Sequence, residues 1–158
     1  MKFDVIVGNP PYQLSDGGFG RSASPIYQRF VTQAKKLEPR HLVMIIPSRW
    51  FGGGKGLDDF REEMLSDDRI RTMHDFEDAS DVFPGVSVAG GICYFVWDRD
   101  YHGDCEMVNM HGDKRSSTVR KLDEFDTFIR ESQAVPIIRC SRGRKCYRPA
   151  PSALKHIW

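Results

Sequence analysis

Residues 3–8 read Phe-Asp-Val-Ile-Val-Gly and run directly into Asn9-Pro10-Pro11-Tyr12. A short β-branched run of this kind is a strand, and two consecutive prolines stop it, because proline donates no ladder hydrogen bond. Each proline also holds its own φ near about −65° and pushes the residue before it out of the helical region. The chain is thus committed to a buried strand that ends abruptly in a stiff loop. That loop offers two acceptors in fixed directions, the Asn9 side-chain oxygen and the Pro10 carbonyl, which suit the two hydrogens of a planar NH₂ group. Tyr12 adds an aromatic face on which a flat ring can stack. An asparagine before prolines also makes an ordinary turn. The strand before it and the tyrosine after it favour a pocket for an exocyclic amine. Acceptors on both N–H bonds favour the pyramidal amine, whose lone pair is free to attack an electrophile in the transition state.

The rest of the chain alternates strands with helices. Residues 42–46 form a second buried strand closed by Pro47, Ile70–Phe76 a third, and 86–97 a fourth broken by Gly90-Gly91. Ile26, Phe30, Ala34 and Leu37 share one face of a helix that Ser24 caps and Pro25 opens. A second helix, over 57–65, carries Leu57, Phe60, Met64 and Leu65 on its apolar side. This alternation predicts an α/β sheet, parallel at its start. The last two strands, joined by a short acidic stretch with no helix, pair antiparallel if they are neighbours. A third amphipathic candidate spans 119–131, with Leu122, Phe125, Phe128 and Ile129. The glycine-rich stretches at 17–20 and 52–56 read as loops, the first a mobile cover over the cleft.

Composition narrows the partners. The chain has 158 residues, 40% of them hydrophobic and 28% charged, enough for one folded domain and too polar for a membrane protein. No apolar run approaches the ~20 residues of a spanning helix. The residues after Met1 leave no room for a signal peptide, so a cytoplasmic location is expected. A net charge of +1 gives no vote for nucleic acid, so such a partner must be argued from a site. The run 139–148 has five basic residues and no acidic one, which suits phosphate contact and a solvated linker equally. The four cysteines, Cys93, Cys105, Cys140 and Cys146, form no C-x-x-C pair and are expected to stay reduced. The histidines are scattered, and Asp75, Glu77, Asp78 and Asp81 read as a solvated acidic loop. No metal is expected.

Asn9-Pro10-Pro11-Tyr12 after an apolar strand resembles the catalytic signature of S-adenosylmethionine-dependent amino-methyltransferases. Its surroundings resemble the adenine-N6 DNA methyltransferases of restriction–modification systems, in particular type II methylases and fused restriction–methylase proteins. The similarity takes in Ser24-Pro25-Ile26-Tyr27, Ile45-Ile46-Pro47-Ser48-Arg49-Trp50-Phe51, Phe60-Arg61, Val82-Phe83-Pro84-Gly85-Val86 and Gly90-Gly91-Ile92-Cys93-Tyr94-Phe95. It covers residues 1–100 well and 101–140 loosely.

The resemblance implies the later strands of a Rossmann-like methyltransferase sheet, parallel and then antiparallel at the end, and incomplete. It implies Asn9 and Pro10 as acceptors for the amine, Pro11 as stiffener and Tyr12 as stacking platform. A second aromatic is expected on the other side of the base, with Tyr94 the first choice and Phe95 the second, although both also suit core packing. Arg49 and Trp50 stand where they could touch substrate DNA or pack at the rim. The implied partners are S-adenosylmethionine, double-stranded DNA with a flipped adenine, and a restriction or specificity subunit. Residues 1–100 would then be the catalytic half of the domain, and 101–158 a polar extension towards a DNA-recognition region.

One departure stands out. The glycine-rich cofactor loop of that family would lie upstream of the Asn9 strand, and neither 17–20 nor 52–56 replaces it. The chain therefore reads as a carboxyl half that lacks its main cofactor motif. Two other readings remain: amino-methylation of protein glutamine or RNA, and a non-catalytic module that is inactive, and oligomeric through its open sheet edges, until complemented.

Overall fold

The computed structural model describes residues 3–14 and 24–142. The glycine loop at 17–20, Cys146 and the basic run beyond Arg142 lie outside them. In chain order the elements are β1 (Val5–Gly8), the two-residue strands β2 (Gln13–Leu14) and β3 (Ser24–Pro25), α1 (Tyr27–Lys36), β4 (His41–Pro47), α2 (Asp58–Ser66), β5 (Ile70–Phe76), β6 (Ile92–Asp98), β7 (Cys105–His111), β8 (Lys114–Arg120) and α3 (Ala134–Ser141). Six strands make one mixed sheet in the order β1-β4-β6-β5-β7-β8. The β1–β4 pair, linked through α1, is parallel, and β6 runs antiparallel to both of its neighbours. The expected α/β class and the switch from parallel to antiparallel pairing are both present, and among the described residues β1 has β4 as its single neighbour.

Strand periodicity sorts the side chains. Leu42, Met44 and Ile46 of β4 and Cys93, Phe95 and Trp97 of β6 face a core shared with Tyr27 and Val31 of α1 and Phe60 and Met64 of α2. Ser48–Gly52, a single 3₁₀ turn, adds Trp50 and Phe51 to the same core. Beneath it, Asp67 ties α1 to the sheet. It accepts from Lys35 Nζ at 2.9 Å and from the Trp97 indole at 2.9 Å.

Four expectations change. The fourth strand begins at Ile92 rather than 86, because Gly90 and Gly91 sit at φ +88° and +80°, which no strand allows. Pro25 does not open α1, since Ser24–Pro25 pairs with Gln13–Leu14 and the helix starts two residues later. Its buried face is consequently Tyr27, Val31 and Ala34, while Phe30 and Leu37 are exposed. The candidate helix over 119–131 is not one: Val119 and Arg120 pair with β7, and 121–133 runs irregularly while still burying Leu122, Phe125 and Phe128. β7 and β8 extend the same six-stranded sheet. Among the cysteines, Cys93 and Cys105 are free, whereas Cys140 is disulfide-bonded and so departs from the reduced state expected of all four. Among the described residues no helix is long and apolar enough to cross a membrane.

Candidate functional site

β1 delivers the chain to the carboxyl edge of the sheet, where Asn9-Pro10-Pro11-Tyr12 leaves it. Pro10 is buried and Asn9 exposed, so the rigid ring is anchored while the polar side chain stays accessible. Past the motif, the Ile26 amide donates to the Tyr12 carbonyl (3.2 Å) and Gln13 pairs with Pro25, which fixes the exit of the loop. Burial raises the pKa of the half-buried Tyr12 phenol, nearby Cys93 adds to this, and the Asn9 amide beside the hydroxyl partly offsets it. Tyr12 is a neutral phenol at working pH. Burial likewise pushes the Cys93 thiol up to about 12, with Asp75 adding to the effect, so this cysteine is no nucleophile.

A loop from the far side of the sheet closes over the motif. Asn9, Pro10, Pro11 and Tyr12 line a cleft of about 460 Å³ together with Phe83 and Val86. A second cleft of about 550 Å³ shares Tyr12, Gln13 and Val86 with the first and adds Tyr27, Arg49 and Lys55. The closing loop is pinned at its end. The Ser48 amide donates to the Gly91 carbonyl (3.0 Å) and Arg130 to the Gly90 carbonyl (2.9 Å). Gly91 cannot be replaced, since a β-carbon there would lie 2.1 Å from the Phe76 carbonyl oxygen. Arg130 is itself held by Asp75, fully buried, through contacts of 2.6 and 2.9 Å, and Ser48 Oγ donates to the same carboxylate at 2.7 Å. This buried network links the irregular 121–133 segment to the strand ends that frame the cleft.

The structure brings the four motif residues and Arg49 to the clefts and leaves the other candidates elsewhere. Phe95 is fully buried in the core, with no surface to offer a ligand. Tyr94 points to the opposite sheet face and stacks on His74, with ring centroids 4.5 Å apart. Trp50 is likewise fully buried. Among the described residues, the aromatic that lines the cleft with the motif is Phe83. No sequence periodicity marks it, because it sits in a loop; its one signal is its place in Val82-Phe83-Pro84-Gly85.

No carboxylate lines either cleft. Neither cleft therefore offers a carboxylate to the ribose hydroxyls or the ammonium group of S-adenosylmethionine. A separate cluster gathers at the other end of the closing loop. His111 Nδ1 lies 3.5 Å from Glu77 Oε2, and its Nε2 lies 3.4 Å from Glu131 Oε2.

Comparison with known proteins points one way. The profile of the Eco57I restriction-modification methylase family matches residues 1–83. A Mycoplasma pneumoniae protein described as an uncharacterized adenine-specific methylase is 41% identical over 132 residues, which is 82% of this chain and 31% of that protein. The chain thus spans about a third of the length of this relative. Among solved structures, a chain from a type I restriction–modification system aligns over 70% of this chain and 24% of its own, with a TM-score of 0.52 and 18% identity. The type I restriction-modification methyltransferase subunit from Streptococcus thermophilus aligns over 91% of this chain and 32% of its own, with a TM-score of 0.50 and 14% identity. At such identities these two structures establish the fold alone.

Proposed function

The chain belongs to the Eco57I restriction-modification methylase family, and on that premise we propose that it forms the amine-binding half of a DNA adenine-N6 methyltransferase. The observation that carries this reading is the meeting of Phe83 with Asn9, Pro10, Pro11 and Tyr12 in one cleft, from positions some seventy residues apart in the chain. A planar base fits between two aromatic side chains while the Asn9 oxygen and the Pro10 carbonyl receive its amine hydrogens.

The chemistry asked of these residues is small and specific. An adenine amine is planar because its lone pair is delocalised into the ring. Two fixed acceptors strengthen their hold as it pyramidalises and becomes nucleophilic. S-Adenosylmethionine, held by residues outside those described, would supply the electrophilic methyl. An enzyme that acts on the amine of a base takes that base out of the stack, so on this reading the target adenine is flipped out. Arg49, exposed on the rim of the adjoining cleft, is placed to meet a neighbouring backbone phosphate. A specificity or restriction subunit is the partner that completes such a system.

The test is methyl incorporation into adenine-containing duplex by the complete enzyme, with Asn9→Ala as the comparison. Loss of at least ~100-fold in kcat with little change in thermal stability is expected, since a preorganised acceptor is removed from an exposed position. Full activity in the variant, or transfer only to protein or RNA, overturns the reading.

A further inference from the structure

Glu77, His111 and Glu131 each offer a ligand atom, and the three atoms lie within 4.8 Å of one another. We propose that they form a site for a divalent transition-metal ion, of the zinc or cobalt type, that fastens the cleft-closing loop to the body of the sheet. The three residues come from separate segments: Glu77 follows β5, His111 ends β7 and Glu131 belongs to the irregular stretch before α3. One imidazole with two carboxylates is a donor set that borderline cations of this class accept, and calcium or magnesium would use the imidazole poorly.

Three observations point to a cation rather than to a finished ion pair. Both imidazole–carboxylate separations, 3.4 and 3.5 Å, exceed those of a well-formed charge-assisted hydrogen bond. Glu131 Oε1 is shielded from solvent and has no hydrogen-bond partner, an expensive state for a carboxylate oxygen that a bound cation relieves. Neither Glu77 nor Glu131 has a lysine or arginine within 4.0 Å among the described residues, so two carboxylates share one imidazole at contact distance, with Arg130 acting on Glu77 only from farther away. The ligand side chains remain about 35 to 50% accessible, which leaves an entry path.

The backbone around the cluster is already ordered. The Gly112 amide in the β7–β8 turn donates to Asp81 at 3.2 Å, which holds the His111 end of β7 against the start of the closing loop. Asn109 accepts from the Ser132 amide at 2.8 Å and donates to the Arg130 carbonyl at 3.1 Å, fixing the residues on both sides of Glu131. An ion here would tie Glu77, at the root of the loop that carries Phe83 and Val86, to two anchored segments. Its effect would be to hold the cleft wall, not to take part in chemistry.

The experiment is a titration of Zn²⁺, and in parallel Co²⁺, into the purified 158-residue chain, followed by calorimetry, by the visible spectrum of bound cobalt and by amide exchange over residues 77–91. One equivalent bound with a Kd below about 100 μM is expected, with a cobalt spectrum free of thiolate charge-transfer bands. His111→Ala and Glu131→Gln should each weaken binding by ~10-fold or more. Both positions are part-exposed, so the variants fold. Bound zinc should slow exchange over 77–91 in the natural sequence and not in His111→Ala. No saturable binding, or binding that survives His111→Ala, overturns the site. Binding that leaves exchange over 77–91 unchanged overturns the fastening role.

Discussion

On the sheet face beneath α1 and α2, Ile46, Met73, Phe95 and Trp97 are fully buried, whereas on the opposite face of the same sheet Val5 and Val7 are 53% and 73% exposed. Residues one position apart along a strand live in these two environments. The first face carries the cohesion of the chain, because large apolar side chains there are removed from water completely. At its β1 end the second holds apolar side chains that gain little from folding in this chain, although Val108, farther along the same face, is fully buried. A parallel pair such as β1–β4 is ordinarily covered on both faces. Val5 and Val7 leave this end of the second face open to water, and the Asn9 loop sits at the end of that least supported strand.

The sharpest way to break the comparison is a pair of substitutions at adjacent positions of β6. Phe95→Ala should cost about 3–5 kcal/mol in urea unfolding, as expected for an aromatic lost from a packed core. Tyr94→Ala should cost under about 1.5 kcal/mol, because it gives up mainly a stack on His74 at the half-buried face. Equal losses would show that the two faces are not differently loaded.

How much of this was legible in the sequence differs between the same regions. β-branched and apolar runs stopped by glycine or proline located β1 and β4, because burial on the strand leaves a local signature. The motif loop was equally legible, since Pro10 and Pro11 constrain backbone geometry by covalent structure alone. Phe83 was not, because a loop residue meets its partner through a path that no period encodes. Tyr94 and Phe95 show the complementary failure: alternation separates the two residues but does not say which faces the core, and neither faces the cleft. The register of α1 depended on the two-residue pairing of Gln13–Leu14 with Ser24–Pro25, a contact invisible to helical periodicity. The Glu77, His111 and Glu131 cluster is assembled by strand order and by the Asp75–Arg130 network, so spacing along the chain carried no trace of it.

Asp67 sharpens the comparison through pH. Burial opposes its ionisation, but hydrogen bonds from Arg69, Lys35 and Trp97 outweigh that and hold its carboxyl well below the usual carboxylate range. A carboxylate whose folded pKa is depressed contributes stability that is fully present above its unfolded value, near ~3.9, and is lost as pH falls towards the folded value. This group joins α1 to the covered face, so the acid sensitivity belongs to that face. The natural sequence should lose about 1–2 kcal/mol more than Asp67→Asn between pH 5 and pH 2.5. Parallel pH profiles for the two proteins would remove Asp67 from the account of how α1 is held.

The smallest effect is the most informative about the open face. Val7→Thr exchanges a methyl for a hydroxyl with nearly the same shape and the same β-branched preference for strand, at a side chain 73% exposed to water. The hydroxyl is not forced into an apolar environment, and the β1–β4 ladder, in which Val7 pairs with Val43, keeps its backbone hydrogen bonds. Unfolding of this chain should therefore shift by no more than about 0.5 kcal/mol. The same substitution in a chain whose second face is covered would place that hydroxyl against apolar atoms, at a cost of about 1–3 kcal/mol unless it finds a partner. Measuring Val7→Thr in the 158-residue chain and again in the complete enzyme thus reads out whether the face is covered there. A near-zero shift in the first and a clear loss in the second locates the missing packing on β1. Near-zero shifts in both would mean that the face stays open to solvent in the complete protein.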